Sequence, residues 1–216
     1  MRCSISAISA IAFVCLSFFS VGLNAEQKAL TETGEEVILN DNGTWYYETE
    51  ALASAKEIGI NEAKFEKPPN ASFRLQSKNN DASIWIDPSQ WGVSPSDVAD
   101  NEYQLKLKDG DLYANVVTEG LEIPVSDVFI DIIISNYKSA GMENLHITQK
   151  EYRMVNGNKV LFVRTDGLVM GLDFAFLGYY TSNATGTTQL VAYTSTKLVD
   201  QYLDKIEQLL NGLAMG

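Results

Sequence analysis

The sequence predicts an α+β protein: an antiparallel sheet with helices packed on its faces, preceded by a small N-terminal β-hairpin unit. Three observations carry that reading. Two segments each hold one apolar stripe at helical spacing, namely Val125, Phe129, Ile132, Ile133 and Ala140, then Val199, Tyr202, Leu203, Ile206, Leu209, Leu210 and Leu213. Other segments alternate with period two or run apolar for the length of a strand. Asx-Gly steps at Asp109-Gly110, Asn156-Gly157 and Asp166-Gly167 separate several of them, as hairpin turns require.

Taken in order, residues 1–25 have a positive start at Arg2, an apolar run from Ile8 to Val21 and a small-residue end, Leu23-Asn24-Ala25. The run is too short to span a bilayer, and the pattern is that of a signal peptide cut after Ala25. Residues 26–50 form the hairpin unit. Val37–Leu39 and Thr44–Tyr47 are its strands, Asn40–Gly43 its turn, and Ala29–Thr31 the candidate third strand. Residues 51–70 read as a linker that includes helix-forming residues up to Glu57, a stop at Gly59 and the rigid Pro68-Pro69 break.

The main domain covers 71–213. Phe73–Gln76 and Ser83–Ile86 are expected strands, followed by a turn at Asp87–Gly92. Tyr103–Leu107 and Leu112–Glu119 form a hairpin about Asp109-Gly110. The first helix has Ser126 as its N-cap and Gly141 as its stop. Ile147–Val155, Lys159–Thr165, Val169–Tyr180 and Thr188–Thr194 give four successive antiparallel strands, turning at Asn156-Gly157, at Asp166-Gly167 and in the loop 182–186. Thr196 is the expected cap of the final helix.

Composition narrows the function. The 16 basic and 28 acidic residues give a net charge of −12, which excludes nucleic acid as a partner. A hydrophobic content of 45% excludes a disordered chain. Both cysteines, Cys3 and Cys15, lie in the signal segment, so the processed chain has no disulfide, no thiol nucleophile and no cysteine ligand. No later run is long and apolar enough to span a membrane. Export to a bacterial periplasm, or secretion, is the expectation.

The order of elements resembles the PsbP-like superfamily, which also includes a Ran-binding nuclear import factor and DcrB-like envelope proteins. The residues that carry the resemblance are Trp85-Ile86-Asp87-Pro88-Ser89-Gln90-Trp91, Glu119 with Ile123-Pro124, Val155-Asn156-Gly157, Gly178-Tyr179-Tyr180, Gly186, Gln189, Tyr193-Thr194 and Leu210-Asn211-Gly212-Leu213. It spans about two thirds of the chain and is similar to exported bacterial members that have no assigned activity. The resemblance implies a module that docks onto a larger partner, here an envelope protein. Separately, Thr31, Gly34, Val37, Leu39, Gly43, Thr44, Trp45 and Tyr47 resemble a short repeated hairpin found at the start of many exported bacterial proteins, to which no activity attaches.

Chemistry-bearing residues are few. His146 is the only histidine, and no nucleophile elbow or glycine-rich phosphate loop occurs. One histidine without cysteine does not build a zinc site, and no cofactor is expected. Asp109-Gly110-Asp111 lacks the later acidic ligands of a calcium loop. The aromatics are more informative. Trp85 is expected in the core and Trp91, in a turn, on the surface. Tyr179 and Tyr180 are adjacent on a strand, so their side chains leave opposite faces, one inward and one outward. Trp91, Asp87, Tyr179 and Tyr180 are therefore the candidate binding residues for a peptide, sugar or protein. The alternative is a weak hydrolase, or a binder of small ligands or divalent ions using surface aromatics and carboxylates. Oligomeric state is left open.

Overall fold

A computed structural model describes residues 27–30, 36–39, 45–47, 58–96 and 101–216. The expected signal segment, the Asn40–Gly43 turn and the helix-forming stretch before Glu57 lie outside the described residues. The chain divides into two compact units, with the larger one running from Gly59 to the C-terminus. In the smaller unit, strands β1 (Gln27–Leu30), β2 (Glu36–Leu39) and β3 (Trp45–Tyr47) form an antiparallel sheet in the order β1-β2-β3.

The larger unit is built on an eight-stranded sheet. Its strands are β4 (Ile60–Phe65), β7 (Trp91–Pro95), β8 (Asn101–Leu107), β9 (Tyr113–Glu119), β10 (Met142–Val155), β11 (Asn158–Val169), β12 (Leu172–Asn183) and β13 (Gly186–Ser195). They lie in the order β4-β10-β11-β12-β13-β9-β8-β7. A second sheet orders β14 (Leu213–Ala214), β6 (Ser83–Ile86) and β5 (Phe73–Gln76). The helices are α1 (Asp127–Ser139) and α2 (Val199–Leu210). The fold is α+β and rich in sheet.

One strand departs from the expected antiparallel arrangement. β4 pairs with β10 in parallel, so the sheet is mixed. Residues 60–65, read above as linker, are thus a strand of the main unit. The sequence hid it because of its six residues only Phe65 is buried, and Ile60-Asn61-Glu62-Ala63-Lys64 shows no alternation.

The core forms between the large sheet, α2 and the small sheet. Leu75, Ile84 and Ile86 from the small sheet meet Val199, Ile206, Leu209 and Leu210 of α2, with Leu177, Tyr179, Leu190 and Val116 from the large one. α1 meets a different set: Phe129 lies edge-on to Tyr180, with ring centres 5.8 Å apart, and Tyr137 packs on Phe176. Neighbouring residues on a strand point to opposite faces, so Tyr179 and Tyr180 meet different helices.

Local signals held at some places and failed at others. Gly141 follows α1 at φ +80°, as a helix stop requires. Ser126 has the extended backbone of an N-cap but makes no side-chain capping bond. Thr196 is not the cap of α2, since it opens a short 3₁₀ turn at Thr196–Leu198 and Leu198 precedes the α-helix. Asp166-Gly167 is not a turn. β11 runs through it, Asp166 pairs with Arg164 at 2.9 Å, and Gly167 passes so close to Leu145 that a Cβ there would lie 2.7 Å from its side chain. The chain reverses instead at Met170-Gly171, with Val169 opposite Leu172.

Candidate functional site

The sequence-selected residues do not converge. Asp87 follows the buried end of β6 and organises the turn into β7. Its carboxylate accepts hydrogen bonds from the Ser89 amide (2.9 Å) and hydroxyl (2.6 Å), from the Gln90 side-chain amide (2.6 Å) and from Asn70 (2.9 Å). Those bonds, the Ser89 hydroxyl first, hold its carboxyl well below the usual carboxylate range. Both oxygens are engaged by the turn itself. Gln90 in turn accepts from the Lys205 ammonium on α2, which ties the turn to the helix.

The two tryptophans exchange their expected roles. Trp91 opens β7 and is 5% exposed, within the main core cluster. Trp85 is half-buried, because Ile84 and Ile86 take the inward positions of β6 and leave it the outward one. Lys67 and Arg74 lie over its ring, 5.0 Å and 5.9 Å from the centroid. The space beside Asp87 and Trp91 amounts to about 10 Å³, room for one water at most.

Tyr179 and Tyr180 are both fully covered, so neither faces out. Tyr180 sits under α1, with its hydroxyl 3.4 Å from that of Tyr137. Tyr179 belongs to a buried network that sequence reading missed. Arg153, 5% exposed, is enclosed by the rings of Phe162 (3.8 Å from its guanidinium carbon), Phe65 (4.5 Å) and Tyr179 (5.7 Å). It donates to the Tyr179 hydroxyl at 3.1 Å and to Glu151 at 2.6 Å. The Tyr179 hydroxyl donates onward to the Asn211 side chain at 2.9 Å. Burial pushes the Tyr179 hydroxyl up to about 12 against the opposing pull of Arg153. At Glu151 burial also pushes upward, but bonds from Asn61 and Arg153 and the Arg153 charge bring the net shift below its ordinary value. The one available signal was position: Arg153 shares strand parity with buried Val155, where an arginine is unexpected without partners.

Asn156 extends this network at the β10–β11 turn. It sits at φ +48°, donates to the carbonyls of Asn211 (2.9 Å) and Leu213 (2.7 Å), and accepts from the Lys67 amide (2.7 Å). Gly212 lies so close to Trp85 that a Cβ would stand 2.0 Å from its carbonyl oxygen, and the Trp85 amide donates to the Gly212 carbonyl. The C-terminal segment is thereby fastened to both sheets.

A shallow groove of about 650 Å³ runs along β4, lined by residues 61–67 with Met154, Asn156 and Gly157. It holds Glu62 and Glu66, both exposed, but no tyrosine or tryptophan. His146 is exposed, and its Nδ1 lies 3.1 Å from the Asn144 carbonyl. Asp111 serves the fold: its amide donates to the Tyr202 hydroxyl and its carbonyl accepts from Thr194. Among the described residues no group of three acidic, histidine or cysteine side chains converges on a metal position, and no helix is long and apolar enough to cross a membrane.

Large hydrophobic side chains stand exposed at several places: Met170 (85%), Leu121, Leu172 (64%), Ile60, Phe73, Met154, Leu203 and Val93.

No family model matches the chain, and no curated protein matches it in sequence. Solved structures do match in shape. A Bacteroides thetaiotaomicron protein aligns over 68% of this chain and 49% of its own, at 8% identity and a TM-score of 0.44. A Pseudomonas aeruginosa protein of unknown function aligns over 67% and 99%, at 8% identity and 0.40. The cyanobacterial PsbP of Synechocystis sp. aligns over 69% of this chain and 95% of its own, at 13% identity and a TM-score of 0.52. The chain has a PsbP-like fold.

Proposed function

We propose that the protein is an exported, non-enzymatic binding module that docks onto a partner of the cell envelope, with residues 1–25 as its export signal. The observation that carries this reading is where the polar chemistry goes. Asp87, Arg153, Tyr179 and Asn156 are each engaged in fastening one part of the fold to another. What the surface presents instead is a set of exposed apolar side chains, the usual material of an interface. The PsbP-like fold agrees with a scaffold whose work is contact.

Crosslinking in intact cells, followed by purification of the tagged full chain from the envelope fraction, tests the docking. One reproducible partner is expected, and recovery of none overturns the reading. N-terminal sequencing of the exported product tests the signal and should begin at Glu26.

The groove along β4 favours a second reading, a small-ligand or divalent-ion binder using Glu62 and Glu66. A thermal-shift screen with sugars, peptides, calcium and magnesium decides it. Stabilisation that disappears in Glu62→Gln/Glu66→Gln would favour this reading, and its absence across the screen would remove it.

A further inference from the structure

β4 is paired in two short pieces. Ile60 and Asn61 stand beside Tyr152 and Arg153 of β10, and Lys64 and Phe65 beside Met154 and Val155. Glu62 and Ala63, between the pieces, have no register partner on β10 and form a bulge. The two pieces are held very differently. At the later one, Phe65 belongs to the core cluster, and the Arg153 guanidinium lies 4.5 Å from the centre of its ring. The Phe65 carbonyl accepts from the Asn156 amide at 2.9 Å. Just beyond, the Lys67 amide donates to the Asn156 side chain at 2.7 Å, its ammonium donates to the Ala71 carbonyl at 3.0 Å, and Pro68-Pro69 stiffens the exit. At the earlier piece no apolar side chain is buried. Ile60, Glu62, Ala63 and Lys64 are exposed and Asn61 is half-buried. That piece is held by the Gly59 carbonyl, which accepts from the Tyr152 amide at 2.8 Å, and by the Asn61 side chain, which donates to Glu151 at 2.9 Å. The same Asn61 side chain accepts from the Ala63 amide at 3.0 Å and so shapes the bulge. A stretch on a sheet edge with no buried apolar side chain opens at low cost while its neighbours stay folded. This one follows directly on Gly59, where the larger unit begins.

We propose that residues 59–63 are a releasable strap. They detach from β10 about the bulge while Phe65 stays seated, so the chain that joins the two units has a docked and a released length. Release adds residues 59–63 to that chain, about 17 Å when fully extended at roughly 3.3–3.6 Å per residue. It leaves the Arg153 cage closed, because Phe65 is one of the walls. Asn61 is the catch, since its one side chain both ties the strap to Glu151 and sets the bend about which it turns. The device is independent of the docking function proposed above.

Two backbone amides report the two pieces, because each donates to a carbonyl of this segment: Tyr152 to Gly59, and Asn156 to Phe65. Hydrogen exchange of the full chain, followed residue by residue by NMR and corrected for intrinsic rates, tests the strap. The Tyr152 amide should exchange at least about a hundredfold faster than the Asn156 amide. Its rate should barely respond to low concentrations of urea, because a small opening exposes little surface. Asn61→Ala should speed Tyr152 about tenfold and leave Asn156 and the amides of the β12–β13 ladder unchanged. Phe65→Ala, which unseats the anchor, should speed both reporters. If Tyr152 and Asn156 exchange at similar rates with the same urea dependence, β4 opens whole or not at all, and the proposal is overturned. It is overturned equally if Asn61→Ala leaves Tyr152 unchanged or speeds both reporters alike.

Discussion

The two ends of β11 close through turns of the same length and backbone hand, and they are built for different purposes. At one end Asn156 holds Lys67 and the carbonyls of Asn211 and Leu213, a few residues from the caged Arg153 and its Tyr179–Asn211 chain. At the other end Met170 and Leu172 stand in solvent. The first turn uses a residue suited to its backbone and directs that side chain inward. The second uses a residue unsuited to its backbone and directs it outward. A strained, exposed turn at one end of β11 and a relaxed, interlocked one at the other separate what stands in solvent from what fastens this fold.

The comparison can be broken at either end. Alkaline pH should have the largest effect, because it ionises Tyr179 at the interlocked end and Tyr180 under α1. Burial raises the Tyr179 hydroxyl to about 12 and raises that of Tyr180 as well. Folding therefore favours the protonated tyrosines. Their contribution is complete below pH 10, where the unfolded residues begin to ionise, and falls as pH rises toward 12. Urea unfolding across that range should show roughly 1.4 kcal/mol lost per pH unit for each tyrosine coupled in this way. A flat profile would mean that the network opens without unfolding. Next, Arg153→Ala removes the cation from among three rings and leaves the Tyr179 hydroxyl without its donor. A loss of about 3 kcal/mol in chemical denaturation is expected. Asn156→Ala should cost about 2 kcal/mol through the lost bonds and the left-handed backbone. The smallest effect has the opposite sign: Met170→Asn should raise stability by about 0.5 kcal/mol, read as a higher melting temperature. If Met170→Asn destabilised the fold instead, the contrast between the two turns would be lost.

Much of the fold was legible because it follows from local pattern. The stripes beginning at Val125 and Val199 gave α1 and α2, although Leu213, expected to close the second stripe, opens β14, and Asn156-Gly157 gave its hairpin. The errors have physical causes. Asp166-Gly167 looks like a turn by the same rule, yet it is absorbed into β11 because Asp166 finds Arg164 and Gly167 lets Leu145 approach. Met170-Gly171 carries no turn signal in its first residue. β4 has one buried side chain and borrows its strand identity from β10. At the site the reading was poorer. Trp91, Tyr179 and Tyr180 are aromatics at segment ends, a pattern that suits a surface as well as a core, and all three are core. Alternation predicts that Tyr179 and Tyr180 part company, but not that a helix waits on each side.

By itself, the sequence determined both helices and most of the strands, because side-chain periodicity and turn chemistry act between residues a few positions apart. It also determined the acidic charge and the confinement of both cysteines to the first 25 residues, since these are matters of composition and order. Only the tertiary structure decided which side chains are used and which remain free. Arg153 meets Tyr179, and Asn156 meets Leu213, across separations that no local rule relates. Exposure is a property of what packs nearby, so the free Met170 and the buried Trp91 became distinguishable only after the chain had folded.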